Sequence, residues 1–218
     1  MRVLITGSSR GIGRACAELF LAHGMEVYGL DILPASIEHP LYTHFEADVR
    51  QPESFPELEI EILVNNAGVQ NSEDDIEVNL RGVINVTERY AIGNPDLKAV
   101  VNIGSASAHT GSEFPVYAAS KGGLIAYTKN VAGRVAPHAT CNSIDPGGVR
   151  TELNSPVMDD PLLWNEIMKL TPLKRWADPS EIAEWVYFVA VVNRFMTGQN
   201  LLIDGGEAGA SNFIWPEN

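Results

Sequence analysis

The first twenty residues narrow the fold more than any other stretch. Arg2–Thr6 is a short apolar run with strand character. It passes without a spacer into Thr6-Gly7-Ser8-Ser9-Arg10-Gly11-Ile12-Gly13, and from there Ile12, Cys16, Leu19 and Phe20 recur at helical spacing, with Gly24 closing the helix after Ala22. A strand, a glycine turn and a helix in direct succession open a parallel crossover unit. The alternation continues along the chain. Strands are expected at Glu26–Asp31, Tyr42–Ala47, Ile60–Val64, Lys98–Ile103, Thr140–Ile144 and Asn200–Ile203, and helices at about Ile76–Tyr90, Val116–Val135 and Asp178–Val192. This order predicts an α/β chain, a doubly wound parallel sheet of about seven strands (Rossmann fold) with helices on both faces.

The 218 residues suit a single domain, 1–218, and no repeat, low-complexity tract or linker divides them. Two connections, Leu33–Leu41 and Gln51–Glu59, are too short and too proline-rich for full crossover helices, so abbreviated crossovers are expected there. Segment 152–172 carries Pro156, Pro161 and Pro172 around an apolar Leu162–Leu170 stretch, the composition of a lid with its own short helix. Its Met158, Leu162, Leu163, Trp164, Ile167 and Met168 read either as an apolar substrate wall or as packing against the core or a neighbouring subunit.

A net charge of −13 repels phosphate backbones and anionic lipid, which argues against nucleic-acid and membrane partners. No apolar run reaches the roughly 20 residues of a membrane span, and the N-terminus has no signal-peptide pattern. Cys16 and Cys141 read as buried thiols, and the five histidines lack metal-ligand spacing, so a cytoplasmic protein without a metal site is expected.

Glycines in the first turn permit a tight bend, and the helix N-terminus behind it offers free N–H groups and a partial positive charge to a pyrophosphate. An acidic residue at the end of the next strand, Asp31, lies 18 positions beyond Gly13, where a carboxylate can bind adenosine ribose hydroxyls. Dinucleotide binding follows. Asp31 opposes a 2′-phosphate, which favours NAD(H) over NADP(H). Arg10 complicates the choice, because its guanidinium can serve a 2′-phosphate or pair with Asp31 itself.

Tyr117 and Lys121 stand four apart on a predicted helix and share a face. A tyrosine hydroxyl titrates near 10, and a neighbouring ammonium favours its phenolate, making it a usable proton acceptor. The small residues Ala118, Ala119, Ser120, Gly122 and Gly123 allow cofactor or sheet to come close. Ser105 closes the fifth strand, at the strand edge where ligands bind in open α/β sheets, with Ser107 as its competitor.

With these residues in place, the chain resembles the short-chain dehydrogenase/reductase family along nearly its whole length. The marks are TGSSRGIG at 6–13, Asp48-Val49, NNAG at 65–68, Asn79 within VNLRG, Ser105 within NIGS, YAASK at 117–121, PGGVRT at 146–151 and IDGG at 203–206. The resemblance implies Tyr117 as general acid/base, and Lys121 as binder of the nicotinamide ribose that lowers the tyrosine pKa. It implies Ser105 as orienter of the substrate oxygen, and Asn79 as support for a water linked to Lys121. It further implies cofactor contacts from Gly7, Ser9, Arg10, Gly11, Ile12, Gly13, Asp31, Asp48, Val49, Asn66, Ala67, Gly68, Pro146, Gly147, Val149 and Thr151. A homotetramer built through the Asn79 and Tyr117 helices is implied too. The terminal Phe213, Ile214 and Trp215 are expected to dock on a neighbouring subunit or on the same chain.

Two departures limit the analogy. Ser105 lies about one residue closer to Tyr117 than is usual in the family, and the stretch from Gly68 to Asn79 is short. The catalytic roles carry over, but the substrate does not. The reading is an NAD(P)-dependent oxidoreductase acting on an alcohol or carbonyl compound. Its rivals are a noncatalytic NAD(P)-binding sensor on the same fold and a sugar-nucleotide epimerase or dehydratase. His109 and Glu113, between Ser105 and Tyr117, read as pocket rim or, more simply, as exposed loop.

Overall fold

The computed structural model describes residues 1–112 and 114–209. Glu113 and the Phe213–Trp215 stretch, named above, lie outside them. Seven parallel strands form one sheet: β1 (Arg2–Thr6), β2 (Glu26–Asp31), β3 (Tyr42–Glu46), β4 (Ile62–Asn65), β5 (Ala99–Ile103), β6 (Thr140–Pro146) and β7 (Asn200–Ile203). Their order is β3-β2-β1-β4-β5-β6-β7. The sequence direction reverses between β1 and β4, and the crevice above that switch point is where doubly wound sheets bind ligands.

Alternation along β1 divides the core. Val3 and Ile5 join Phe20, Val27, Ile182 and Val186 on one face, beneath helices α1 (Gly11–Ala22) and, late in the chain, Pro179–Tyr187. Leu4 joins Leu63, Val86, Val100, Val131 and Val135 on the other. The helices covering that second face are α2 (Val83–Tyr90) and a long helix at Pro115–Val135. With both faces covered, β4 and β5 are buried throughout, their Asn65 and Asn102 included.

Several boundaries differ from the sequence reading. No helix links β2 to β3, and only a 3₁₀ turn at Pro52–Ser54 lies between β3 and β4, in keeping with the short connections. The helix expected over Ile76–Tyr90 is two pieces: a π-helical turn at Glu77–Gly82 and then α2. A β-carbon at Gly82 would stand 2.5 Å from Val49 Cγ2, so the glycine lets the widened turn press on the β3 side. Between Ser105 and Tyr117 the chain forms α3 (Ser107–Thr110), and α4 (Pro115–Val135) follows with Pro115 in its first turn.

Segment 152–172 holds more structure than one short helix. It has a 3₁₀ turn at Glu152–Asn154, α5 (Ser155–Met158) and α6 (Pro161–Leu170), the last started by the Asp160 carboxylate accepting from Leu162 and Leu163 N–H. Helix α7 (Pro179–Tyr187) continues into a π-helical turn at Phe188–Val192. No helix among the described residues is long and apolar enough to cross a membrane.

Candidate active site

The glycine turn is held from behind. Thr6 Oγ1 accepts the N–H groups of both Asn66 and Ala67 at 3.0 Å. The Asn66 amide donates to the carbonyls of Thr6 and Gly7, also at 3.0 Å. The turn after β1 and the turn after β4 are thus one clamped unit. Gly7 and Gly11 have φ of 66° and 53°, in the left-handed region that glycine enters without strain. No side chain caps the first turn of α1 and no acidic residue sits in it, so its amide end is left to an anion.

At the end of β2 the buried Asp31 carboxylate accepts Ser9 N–H through Oδ2 and Leu33 N–H through Oδ1, each at 2.9 Å. Arg10 is exposed and forms no ion pair with Asp31 among the described residues, which removes one of the alternatives weighed above. The Asp48 carboxylate is gripped by the Arg50 guanidinium, which holds it below the usual carboxylate range, and Arg50 also reaches Asp74 at 2.8 Å. Arg50 has no motif of its own and was not a sequence candidate.

A cavity of about 800 Å³ opens over the carboxyl ends of the strands. Its wall includes Gly7, Arg10, Gly11, Ile12, Asp31, Asp48, Val49, Asn66, Ala67 and Gly68. Ser105, Tyr117, Lys121, Pro146, Gly147, Val149 and Thr151 line it as well. Three of the sequence candidates lie behind the wall. Ser9 ties the turn to Asp31 and, through Oγ, to the Pro34 carbonyl. Gly13 fills a place where a β-carbon would stand 2.0 Å from the Gly7 carbonyl oxygen. Asn79, on the π turn, exchanges two hydrogen bonds with the Val69 backbone at 2.9 Å and donates to Ser120 Oγ at 3.2 Å.

Lys121 is buried, and its ammonium donates to the Ile103 carbonyl at 2.9 Å, 5.8 Å from the centroid of the Tyr117 ring. Burial pulls its pKa down to about 8, against the attraction of Asp145 and Asp75. Ser105 Oγ accepts Ser107 N–H and donates to Ser107 Oγ, both at 3.1 Å, and both serines line the cavity. Helix α4 is fastened to the sheet through a buried chain in which Asn65 donates to Asn102 and to Thr87, and Asn102 donates to Thr128. Among the small residues of α4, a β-carbon at Gly123 would meet Leu80 of the π turn at 2.8 Å, whereas Gly122 faces open space. His109 is not loop but part of α3, and its Nε2 lies 2.5 Å from Asp145 Oδ2.

The far end of the cavity is apolar. Of the six apolar candidates in 152–172, Leu163 and Ile167 line it, joined by Val157, Leu170 and Trp176. Trp164 packs edge-on against Trp176 with centroids 5.0 Å apart, and Leu162 and Met168 face a separate shallow hollow. Trp176 carries no signal in the sequence, and Leu170 only as the end of the apolar Leu162–Leu170 stretch, because nothing local tells a cavity wall from a core contact.

This geometry agrees with what similarity to other proteins adds. A family profile described as enoyl-(acyl carrier protein) reductase matches residues 7–207. The chain belongs to the short-chain dehydrogenase/reductase family. The oxidoreductase UcpA of Escherichia coli K12 is 34% identical over 245 residues, 93% of this chain and 92% of its own. The aldohexose dehydrogenase AldT of Thermoplasma acidophilum superposes with a TM-score of 0.85 at 32% identity, covering 99% and 97% of the two chains. A 4-hydroxyisoleucine dehydrogenase solved with NADH gives 0.84 at 29% identity, covering 96% and 99%. NAD(P)-dependent oxidoreduction is the activity of this class.

Proposed function

We propose that the protein moves a hydride between a nicotinamide cofactor and an alcohol or carbonyl substrate, with Tyr117 as general acid/base. The observation that carries the reading is the convergence of Ser105, Tyr117 and Lys121 on one cavity with the clamped glycine turn. The residues fit a dinucleotide: an uncapped helix N-terminus for the pyrophosphate, Asp31 for a ribose, and Asp48 and Val49 beside the place for the adenine. When bound, the cofactor supplies or accepts the hydride. The chain's own work is to orient the substrate oxygen at Ser105 and move its proton at the Tyr117 hydroxyl. Lys121 supports the Tyr117 phenolate and the nicotinamide ribose, and Pro146, Gly147, Val149 and Thr151 flank the ring.

Asp31 favours NAD, because its carboxylate, fixed by two N–H groups, would face a 2′-phosphate across a short gap. Unit charges 4 Å apart interact by roughly 4 kcal/mol at an effective dielectric near 20. NADP is the alternative through Arg10. The deciding experiment measures NADH and NADPH binding by fluorescence and then their oxidation across a panel of ketones, sugars and steroids. NADH should bind more tightly, and preference for NADPH would show that Arg10 dominates. Segment 152–172 is read as the substrate lid, since Leu163 and Ile167 wall the substrate end. Hydrogen exchange in the same titration should slow there when NADH binds, and equal protection would reject the lid.

A homotetramer goes with this reading. Trp185, Phe188, Val192 and Phe195 leave an exposed apolar surface at the end of α7, with Phe195 98% exposed. Sedimentation at micromolar concentration should give four chains per particle, and a clean monomer would end the idea. Cys16 and Cys141 are both buried and unpaired, which suits a cytoplasmic protein.

A further inference from the structure

Asp145 lies at the end of β6 with its side chain fully buried. Its neighbour Ile144 pairs in register with Ile103, whose carbonyl takes the Lys121 ammonium. Three features hold the carboxylate there. Ser143 Oγ donates to Oδ1 at 2.7 Å, and His109 Nε2 meets Oδ2 at 2.5 Å. The third is a missing side chain: a β-carbon at Gly104 would stand 2.0 Å from Oδ1, so the carboxylate occupies the space that glycine leaves between Ile103 and Ser105.

A buried carboxylate is costly unless it is paired, and an apolar side chain would fill this place with no such support. Gly104, Ser143 and His109 all accommodate it, and Ser143 Oγ in turn accepts Asn200 Nδ2 at 2.6 Å. The charges around Lys121 are few. Asp145 acts on it through space from β6 and Asp75 from the segment before the π turn, where Ser72 N–H holds the Asp75 carboxylate, while Tyr117 shares its helix. Around Asp145 stand His109 of α3, Lys121 of α4 and Ser143 of its own strand.

We propose that Asp145 is a positioning residue of the active site, a buried counter-charge that keeps the Lys121 amine protonated and docked on the Ile103 carbonyl. Burial favours a neutral lysine, and Asp145 is the first of the two carboxylates that oppose it. Burial also pushes the Asp145 carboxyl up, against Ser143, His109 and Lys121, so each charge depends on the other. The consequence for turnover rests on the Tyr117–Lys121 reading, but the electrostatic claim does not.

The test therefore reads Lys121 itself. The chain has five lysines, so ¹³C,¹⁵N-lysine labelling gives a simple NMR spectrum in which the Lys121 signal is the one lost in Lys121→Arg. In the wild type it should titrate near 8. In Asp145→Asn, which keeps the shape of the side chain, it should titrate at least about one pH unit lower, because an opposite charge nearby is worth about 1–3 units. His109→Ala, a change at a partly exposed site, should lower it by less, because Asp145 then loses a donor and holds its charge less firmly. A Lys121 titration within about 0.3 unit of wild type in both variants overturns the proposal, and if Asp145→Asn does not fold, His109→Ala decides alone. Failure of the catalytic reading would look different: Tyr117→Phe would turn over normally while the Lys121 titration still moved.

Discussion

Tyr117→Phe should lower turnover by about 10²–10⁴-fold, the usual worth of general acid–base catalysis, while NADH affinity stays close to wild type. The substitution removes one oxygen and keeps the ring. Pro115 and the rest of the first turn of α4 are untouched, and so is the bond from Lys121 to the Ile103 carbonyl. The cofactor cradle is built elsewhere, from the clamped turns after β1 and β4, and does not depend on the hydroxyl. On the proposed reading, what is lost is the group that exchanges a proton with the substrate oxygen beside Ser105. NADH binding by fluorescence, paired with turnover on any substrate found, separates the two quantities. Normal binding with wild-type turnover would remove Tyr117 from the chemistry and bring forward the noncatalytic sensor or a different acid. Weak binding would show that the ring had moved, and the comparison would then be made with Lys121→Ala, which should harm binding and turnover together.

How much of this was legible in the sequence depended on whether the signal was local. β1, β2 and β7 end where the apolar run meets a turn, and their expected limits match the observed ones. β4 and β6 reach further, to Asn65 and Pro146, because polar Asn65 and Asp145 find partners inside the protein that a linear pattern does not display. The π turn at Glu77–Gly82 has no periodicity of its own that would set it apart from α2. Ser105, Tyr117 and Lys121 were readable because one strand end and one helix face carry them.

The Asp145–His109 contact was not readable, since its partners are 36 residues apart and become neighbours only when β6 lies beside β5. The sequence reads Asn66 and Gly13 as cofactor contacts. Asn66 lines the cavity and Gly13 lies behind its wall; the Asn66 amide is taken up by Thr6 and Gly7, and Gly13 makes room for that clamp. Proximity to a ligand and service to the turn that binds it leave the same mark in a sequence.

That distinction has a measurable form. Gly13→Ala should lower NADH affinity by at least about tenfold and melt well below wild type. Its β-carbon would stand 2.0 Å from the Gly7 carbonyl oxygen and 2.4 Å from Asn66 Nδ2. Neither is the free end of a flexible side chain: one is backbone, and the other is pinned between the Thr6 and Gly7 carbonyls. Either α1 must shift away from the turn or the clamp must open, and both displace the amides of the first helical turn. Overpacking of this kind costs about 1–3 kcal/mol, and contact with backbone puts it at the upper end. For a chain of this size that lowers the melting temperature by about 6–12 °C. Gly24→Ala is the control, because Gly24 has φ of 71° but nothing within 4 Å of the added carbon. It should show only the strain of a left-handed alanine, about 1–2 kcal/mol, with NADH affinity unchanged. If Gly13→Ala binds NADH and melts like wild type, the clamp between the two turns does not hold the cofactor cradle. If Gly24→Ala loses NADH as well, the defect is general loss of stability rather than damage to the turn.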